Sequence, residues 1–476
     1  MPRPIALILF SLAIWGLFAL SRDRTRRTGG ALWLPVIWLA LAASRSVTQW
    51  MEVFGLAGGI SFTAEGQYVE GSPFDRAVYL ALTVCGLVVL LARRRRLGNT
   101  LLANLPILLF FFYCGVSIFW SDFPDVALKR WIKALGDLVM VLVVLTDPDP
   151  VAAFKRLFSR VGLLLLPLSV LFIKYYPDLG RSYHPDVGFW SASYTGVTTS
   201  KNLLGMTTLL FGLSFWWLFL QALQRRKDRR RMVLLMVYGI SLLAVVWLFR
   251  MAQSATALAC FVLGAALIAI TELTKLGRRT GIRHLLVLAA LVVPVVAVFA
   301  PFGGGMLGII GRDATLTGRT DIWRLALDMR GNPLVGTGFE SFWLGWRLLK
   351  VQNAYRFQLQ EAHNGYLEVY LNLGWIGIVL LLGLIITGYR NVQGAFRRKS
   401  EIASLLLGFF VVALVYNLTE AGFRTLNPMW IVFLLATLAM PTIAMRPASK
   451  AKRVQDRKDQ PASDHWAAVG LPQEAR

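Results

Sequence analysis

The apolar residues of this chain come in thirteen long blocks separated by short basic runs, and that pattern constrains the fold more than any other feature. A bilayer core takes roughly 20 mostly apolar residues per helical span. The blocks are Pro4–Leu20, Ala31–Ala43, Ala77–Ala92, Leu101–Phe119, Ile132–Leu145, Val161–Ile173 and Leu203–Leu220. They continue with Met232–Phe249, Ala257–Ile270, Leu285–Phe302, Leu367–Thr387, Ile402–Leu418 and Met429–Met445. The pattern predicts an all-α polytopic membrane protein of about thirteen transmembrane helices (12–14), with residues 1–446 as a single transmembrane domain. Four blocks are short: Ala31–Ala43, Ile132–Leu145, Val161–Ile173 and Ala257–Ile270. They span only if flanking polar residues extend them. No small-residue cleavage site follows the first block, so a retained helix is expected rather than a signal peptide.

Composition agrees: 56% of residues are apolar and 16% charged, against about 45–50% and about 25% for soluble domains. A soluble enzyme, a disordered chain and a disulfide scaffold are excluded. Cys85, Cys114 and Cys260 all lie in apolar blocks, so no disulfide is expected. The balance of 50 Lys+Arg against 26 Asp+Glu gives +24. With the amino terminus placed outside, 32 of the 50 basic residues fall in inside segments, among them Arg93–Arg96 and six within Arg225–Arg231. The charge therefore reads as topology and attraction to anionic lipid, not as a nucleic-acid surface. The tail 447–476 reads as a disordered cytoplasmic extension. The loop 303–366, rich in Gly, Arg, Trp and Phe, is too long for a simple connector and reads as a functional periplasmic loop.

There is no Walker A sequence, no paired-cysteine ligand motif and no string of carboxylates inside the blocks. An ATPase and a zinc protein are disfavoured on that ground, a proton pump less strongly. The polar residues gather at the outer face instead. In the long loop, Ile322, Trp323, Leu325, Ala326 and Met329 recur at helical spacing. They predict a short amphipathic helix on the membrane surface, capped by Thr320 or Asp321. Arg319 then stands at a helix N-terminus, where amides and dipole favour an anion; binding to lipid headgroups explains it as readily. Gly336 and Gly338 allow close backbone approach. His363 and Asn364 open the eleventh block, where an imidazole can take a proton near neutral pH or simply bond a carbonyl. Arg130, then Lys201 and Asn202 beside the capping Ser200 or Thr199, and Arg250, Ser254 and Thr256 complete the outer groups. Each alone is ordinary interfacial capping. Together they suit an anionic, sugar-bearing lipid.

The order of these pieces resembles the O-antigen ligase and O-antigen polymerase superfamily, in particular its exopolysaccharide-polymerase branch. The motifs that carry the resemblance are Trp120-Ser121-x-x-Pro124, Gly196…Lys201-Asn202-x-x-Gly205 and Ser254-x-Thr256. Three more lie in or beside the long loop: Thr317-Gly318-Arg319-Thr320-Asp321-x-Trp323, Asn332-Pro333-Leu334-x-Gly336-x-Gly338 and His363-Asn364-x-Tyr366-Leu367. The resemblance implies a multi-pass glycosyltransferase of the bacterial inner membrane with its active site facing the periplasm. Its donor would be a glycan on undecaprenyl diphosphate, with no cofactor and no required metal. It implies Arg319 as the diphosphate ligand and His363 as base or orienter for the acceptor hydroxyl. Many members carry an Arg after the Ser of the Ser254 motif; this chain has Ala255, so Arg250 or Lys201 is the expected replacement. Expected partners are the lipid-linked glycan, membrane lipid, and proteins for chain-length control and export. The leading expectation is a polymerase acting by inverting transfer. A ligase moving glycan to lipid A core or protein is the alternative in the same class. A lipid-linked sugar transporter is the alternative in another, and no internal repeat supports it.

Overall fold

A computed structural model of the chain describes residues 2–21, 26, 28–56, 72–186, 189–275, 277, 279–299, 314–355 and 360–438. The tail 447–476 and the loop stretch 303–313 lie outside the described residues. The first described helices are α1 (Arg3–Ser21), α2 (Trp33–Ala42), α3 (Val47–Val53), α4 (Pro73–Ala92), α5 (Arg94–Leu102) and α6 (Leu105–Val116). Next come α7 (Pro124–Leu145), α8 (Pro150–Tyr175) and the single turn α9 (Pro177–Gly180). A two-stranded antiparallel ribbon, β1 (Arg181–Asp186) and β2 (Phe189–Tyr194), precedes α10 (Lys201–Leu223). Then follow α11 (Arg229–Ala252), α12 (Ala255–Leu273), α13 (Thr280–Phe299), α14 (Ala314–Asp328) and α15 (Trp346–Tyr355). The last three are α16 (Gly365–Arg397), α17 (Ala403–Tyr416) and α18 (Pro428–Thr437).

Every one of the thirteen apolar blocks carries a helix, but they are not thirteen equal spans. Among the described residues, seven helices are long and apolar enough to cross a membrane, or up to nine if each of two bent pairs counts once. One bent pair joins Gly30–Ala42 to Val47–Val53 at 71°, the other Arg94–Leu102 to Leu105–Trp120 at 89°. Three further apolar helices, α13, α17 and α18, are shorter. The short blocks separate into two kinds. Val161–Ile173 and Ala257–Ile270 lie inside the full-length helices α8 and α12, extended by flanking polar residues. Ala31–Ala43 belongs to a bent pair, and Ile132–Leu145 is the apolar end of α7, whose first half carries Asp125, Lys129, Arg130 and Lys133.

Burial orders the bundle. α10 is the central helix, with 83% of its apolar window buried, whereas α1 has 6%. The outer helices present Trp15, Leu243 and Val293 outward, as lipid-facing helices do, because chain tails solvate them as well as a protein core would. α17 and α18 are buried along their whole lengths beside α10. Buried hydroxyls inside this core bond helix carbonyls, for example Thr207 to Ala43 O at 2.9 Å and Ser214 to Leu210 O at 3.0 Å.

One helix is broken on purpose. α16 leaves helical geometry at Gly374, with φ 63° and ψ −163°, a region open to glycine alone. The break frees backbone groups that lipid cannot satisfy. The loop Asn332–Gly338 supplies the partners. Thr337 N and Gly338 N donate to Leu371 O and Asn372 O, while Trp375 N and Ile376 N donate to Pro333 O and Leu334 O. The approach is so close that a Cβ at Gly336 would lie 2.4 Å from Asn372 C, and one at Gly374 2.3 Å from Leu334 C. The long loop is thereby stitched to the bundle. The glycine pair read from the sequence serves this contact.

Candidate functional site

α14 starts earlier than its apolar stripe predicted, so Arg319 lies inside the helix and not at its N-terminus, and neither Thr320 nor Asp321 caps it. The cause is that Ala314–Gly318 continue the helix upstream of the amphipathic stretch. The apolar face does not rest on a membrane surface either. Ile322, Ala326 and Met329 are buried with Phe342, Trp343, Val351, Ala362 and Leu371 in a small core of their own. Trp323 Nε1 donates to Ala362 O at 2.7 Å, which pins the peptide just before His363. The dipole argument for Arg319 therefore falls away, and its partner is a side chain.

That partner is Glu420. Arg319 Nη2 lies 2.9 Å from Glu420 Oε1. Glu420 Oε2 lies 3.4 Å from His363 Nδ1, and Glu361 Oε1 lies 3.0 Å from the same nitrogen. Glu361 Oε2 in turn accepts from Arg424 Nη1 at 2.8 Å. One imidazole is thus shared by two carboxylates, and each carboxylate is anchored by its own guanidinium. His363 precedes α16 rather than riding on it. Its φ is 49°, a left-handed conformation uncommon for a residue with a Cβ. Asn364 is the helix cap, accepting from Tyr366 N and Leu367 N at 3.0 Å each.

Local sequence explains why the segment 417–427 reaches His363. Gly365 N donates to Asn417 O and Glu420 O, and a Cβ at Gly365 would lie 1.8 Å from Asn417 Oδ1. Asn364 Nδ2 donates to Leu418 O at 3.1 Å, while Asn417 Oδ1 takes the Gly422 and Phe423 amides. Farther along, Thr425 N donates to Glu340 Oε1 at 2.7 Å and Leu426 N to the buried Asp137 at 2.9 Å.

Electrostatics follow from this wiring. Burial alone would lower the His363 pKa, but the hydrogen bonds and charges of Glu361 and Glu420 outweigh it and lift it to about 9. Burial would raise Glu361; His363 and Arg424 override it and hold the carboxyl down at about 2. At neutral pH His363 is therefore an imidazolium. Counting Arg319, Arg424 and His363 against Glu361 and Glu420, the cluster carries one net positive charge. Glu361, His363 and Glu420 also present ligand atoms within 4.8 Å of one another, the spacing of a metal site. All four carboxylate oxygens already face a guanidinium or the imidazole, so a cation would have to displace two arginines. The donor set suits an anion better.

Of the residues singled out in the sequence, Arg319, His363 and Asn364 converge. Thr256 approaches through a 3.2 Å contact with Thr419, next to Glu420. Ser254 is buried against Gly205 and makes no capping bond to α12. Lys201 opens α10 behind its cap Ser200, Asn202 is half-buried beside it, and Arg250 is exposed in the last turn of α11. No bond ties any of these three to the cluster among the described residues. Arg130 donates to Glu340 O, and both line a cavity together with Arg424. Glu420 and Arg424 escaped the sequence reading because scattered charged residues near a membrane carry no spacing signal. The clue was present: Asn417–Asn427 is a polar interruption between two wholly apolar helices.

Residues 249–382 match the family model described as O-antigen ligase. The exopolysaccharide production protein ExoQ of Rhizobium meliloti (strain 1021) is 29% identical over 317 residues, covering 63% of this chain and 68% of that protein. The matched family region contains Arg319, His363 and Glu361, whereas Glu420 and Arg424 lie beyond it.

Proposed function

We propose that this multi-pass membrane protein, whose matches are an O-antigen ligase family model and an exopolysaccharide production protein, is a member of the O-antigen ligase and polymerase superfamily that joins undecaprenyl-diphosphate-linked repeat units into exopolysaccharide. The transfer takes place at the periplasmic face of the inner membrane, with inversion and without a metal. The observation that carries this reading is the cationic relay Arg319–Glu420–His363–Glu361–Arg424, held at the head of an apolar groove. The groove runs between α13, α16 and α17, is lined by Leu291, Val295, Ile385 and Leu414, and offers about 300 Å³. Its remaining lining residues include Tyr366, whose amide the Asn364 cap accepts, and Leu418, next to Thr419. A polyprenyl chain in the groove brings its diphosphate to Arg319 and the imidazolium.

A polyprenyl diphosphate is already a good leaving group, so the protein mainly holds charge and aims the acceptor. The acceptor oxygen bonds to the anomeric carbon as that carbon's bond to the diphosphate oxygen breaks. The electron pair leaves with the diphosphate, and the hydroxyl proton goes to water. His363, protonated and tied through Nδ1, acts as a donor that positions and neutralises rather than as the base. The relative's name, which speaks of exopolysaccharide production, favours the polymerase; the family model's description keeps ligation to lipid A core or protein as the second reading. Deleting the gene and sizing the glycan left on the lipid carrier separates them. Single repeats support polymerisation, full-length chains support ligation, and an unchanged carrier pool with normal export rejects both.

A further inference from the structure

Beside the relay lies a second cavity, of different character, between α6, α7 and α16 and closed by the segments around 340 and 424. Its floor is aromatic: Phe110, Phe111 and Trp430 pack together, with Phe423 edge-on to Trp430 at 5.7 Å. Its rim is polar and carries Arg130, Glu340, Arg424 and Thr425, with Glu368 and Asn372 on the wall. The cavity is continuous with the relay. Arg424 lines it and also holds Glu361, while Glu368 lines it and accepts the amide of Ala362, next to His363.

Three observations indicate that the cavity is built to receive something. Thr425 Oγ1 is buried and has no hydrogen-bond partner among the described residues, and native proteins rarely leave such a group unmet. Glu340 and Leu426 hold left-handed backbone, with φ 47° and 57°. Strain of this kind persists only where surroundings over-determine it, as Arg130, Thr425 N and Asp137 do here. Finally, the charges differ from the relay's: with Arg424 counted there against Glu361, the cavity keeps two carboxylates, Glu340 and Glu368, against one guanidinium, Arg130. Such a lining repels a diphosphate, unlike the relay with its net positive charge. Aromatic faces with carboxylate, amide and hydroxyl groups at their edge suit a hydroxylated ring. The volume, about 40 Å³, is some three times what one water needs; it admits a hydroxymethyl or hydroxyl edge and not a whole ring.

We propose that this cavity takes a hydroxyl-bearing edge of the acceptor sugar, with Thr425 Oγ1 and the Glu340 carboxylate as its hydrogen-bond partners. The proposal rests on the glycosyl-transfer reading above and adds the acceptor's place to it: donor at Arg319, acceptor at Glu340, His363 and Arg424 between them.

The test uses the purified full chain in lipid nanodiscs, with the strain's own lipid-linked oligosaccharide as donor. The same oligosaccharide, released from its lipid by mild acid, serves as an acceptor-only probe. Initial rates are measured while each is varied in turn. Thr425→Val should raise the KM for the released oligosaccharide about fivefold or more, the loss expected for one hydrogen bond, while the donor KM stays within about twofold. Its melting temperature should hold or rise, because the removed hydroxyl has no partner among the described residues. Thr425→Ser should restore the wild-type KM, and Glu340→Gln should raise the acceptor KM further. Unchanged acceptor KM in an active Thr425→Val protein overturns the pocket alone, and so does an equal rise in donor KM. A wild-type protein that never lengthens the released oligosaccharide, with lipid-linked donor present, overturns the transfer reading and the pocket with it.

Discussion

Glu401 and Glu420 each join two cations, in two very different parts of the molecule. Glu401 takes Arg26 at 2.5 Å and Lys155 at 2.8 Å, with its side chain 45% exposed. Glu420 takes Arg319 at 2.9 Å and His363 at 3.4 Å, with its side chain 7% exposed. The first arrangement clips ends of the bundle together with long, solvated side chains. The second holds its cations against backbone that has been bent to meet them: Gly365 lets Asn417 and Glu420 approach, and His363 sits at positive φ. Burial turns the same ion-pair chemistry from a tie worth little into one that sets a protonation state and aims a charge.

The comparison breaks most sharply on activity. Arg319→Lys keeps the charge but loses the planar fork, and should cut transfer about 10- to 100-fold, the weight of a charged hydrogen bond. Arg26→Lys should change it less than about twofold. Initial rates of the two purified variants decide the matter; equal losses would erase the distinction between the regions.

A pH profile sharpens it next. The His363 pKa is raised from 6.5 to about 9, so the folded protein keeps its imidazolium through neutral pH and loses it as pH rises through about 9. Transfer should therefore hold from mildly acidic to neutral pH and fall on the alkaline side. His363→Gln, which still donates a hydrogen bond, should lose that alkaline limb and keep about a tenth of the rate, the weight of one charged bond. His363→Ala should lower turnover further and raise the donor KM, because it removes one of the two cations that meet the diphosphate. A profile that instead falls as pH drops through 6–7 would make His363 a base with an ordinary pKa.

Stability is the smallest expected difference. Glu420→Gln leaves Arg319 half-buried without its counter-charge and His363 with Glu361 alone, and should cost about 1–3 kcal/mol, below the range for fully buried pairs because both partners keep some solvent. Glu401→Gln should cost less than about 1 kcal/mol and less still in high salt. The pH window has two edges. The Glu361 contribution is present above its ordinary 4.5 and lost as pH falls toward about 2, while that of His363 fades as pH rises toward 9. Thermal unfolding in nanodiscs across that range reads both.

Arg319 and His363 stand out in the sequence because they sit in dense motifs, Thr317–Trp323 and His363–Leu367. Their geometry does not. Reading Arg319 as a helix N-terminus failed because helix starts are set by upstream residues, here Ala314–Gly318, that carry no apolar stripe. The surface-lying helix failed because an amphipathic face is equally content against protein, and Trp343 and Phe342 were there to receive it.

The apolar blocks alone determined that this chain is a helical membrane protein, since about 20 apolar residues have no other use for their backbone than a helix in lipid. The glycines of the Asn332–Gly338 loop likewise announced a close approach, because only a missing Cβ permits one. The tertiary structure decided what they approach, namely a helix broken at Gly374, 36 positions past Gly338 by the chain numbering. It also decided which carboxylates matter. Glu420 lies 101 residues from Arg319 and 57 from His363, and an ion pair depends on distance in space, which no spacing along the chain encodes.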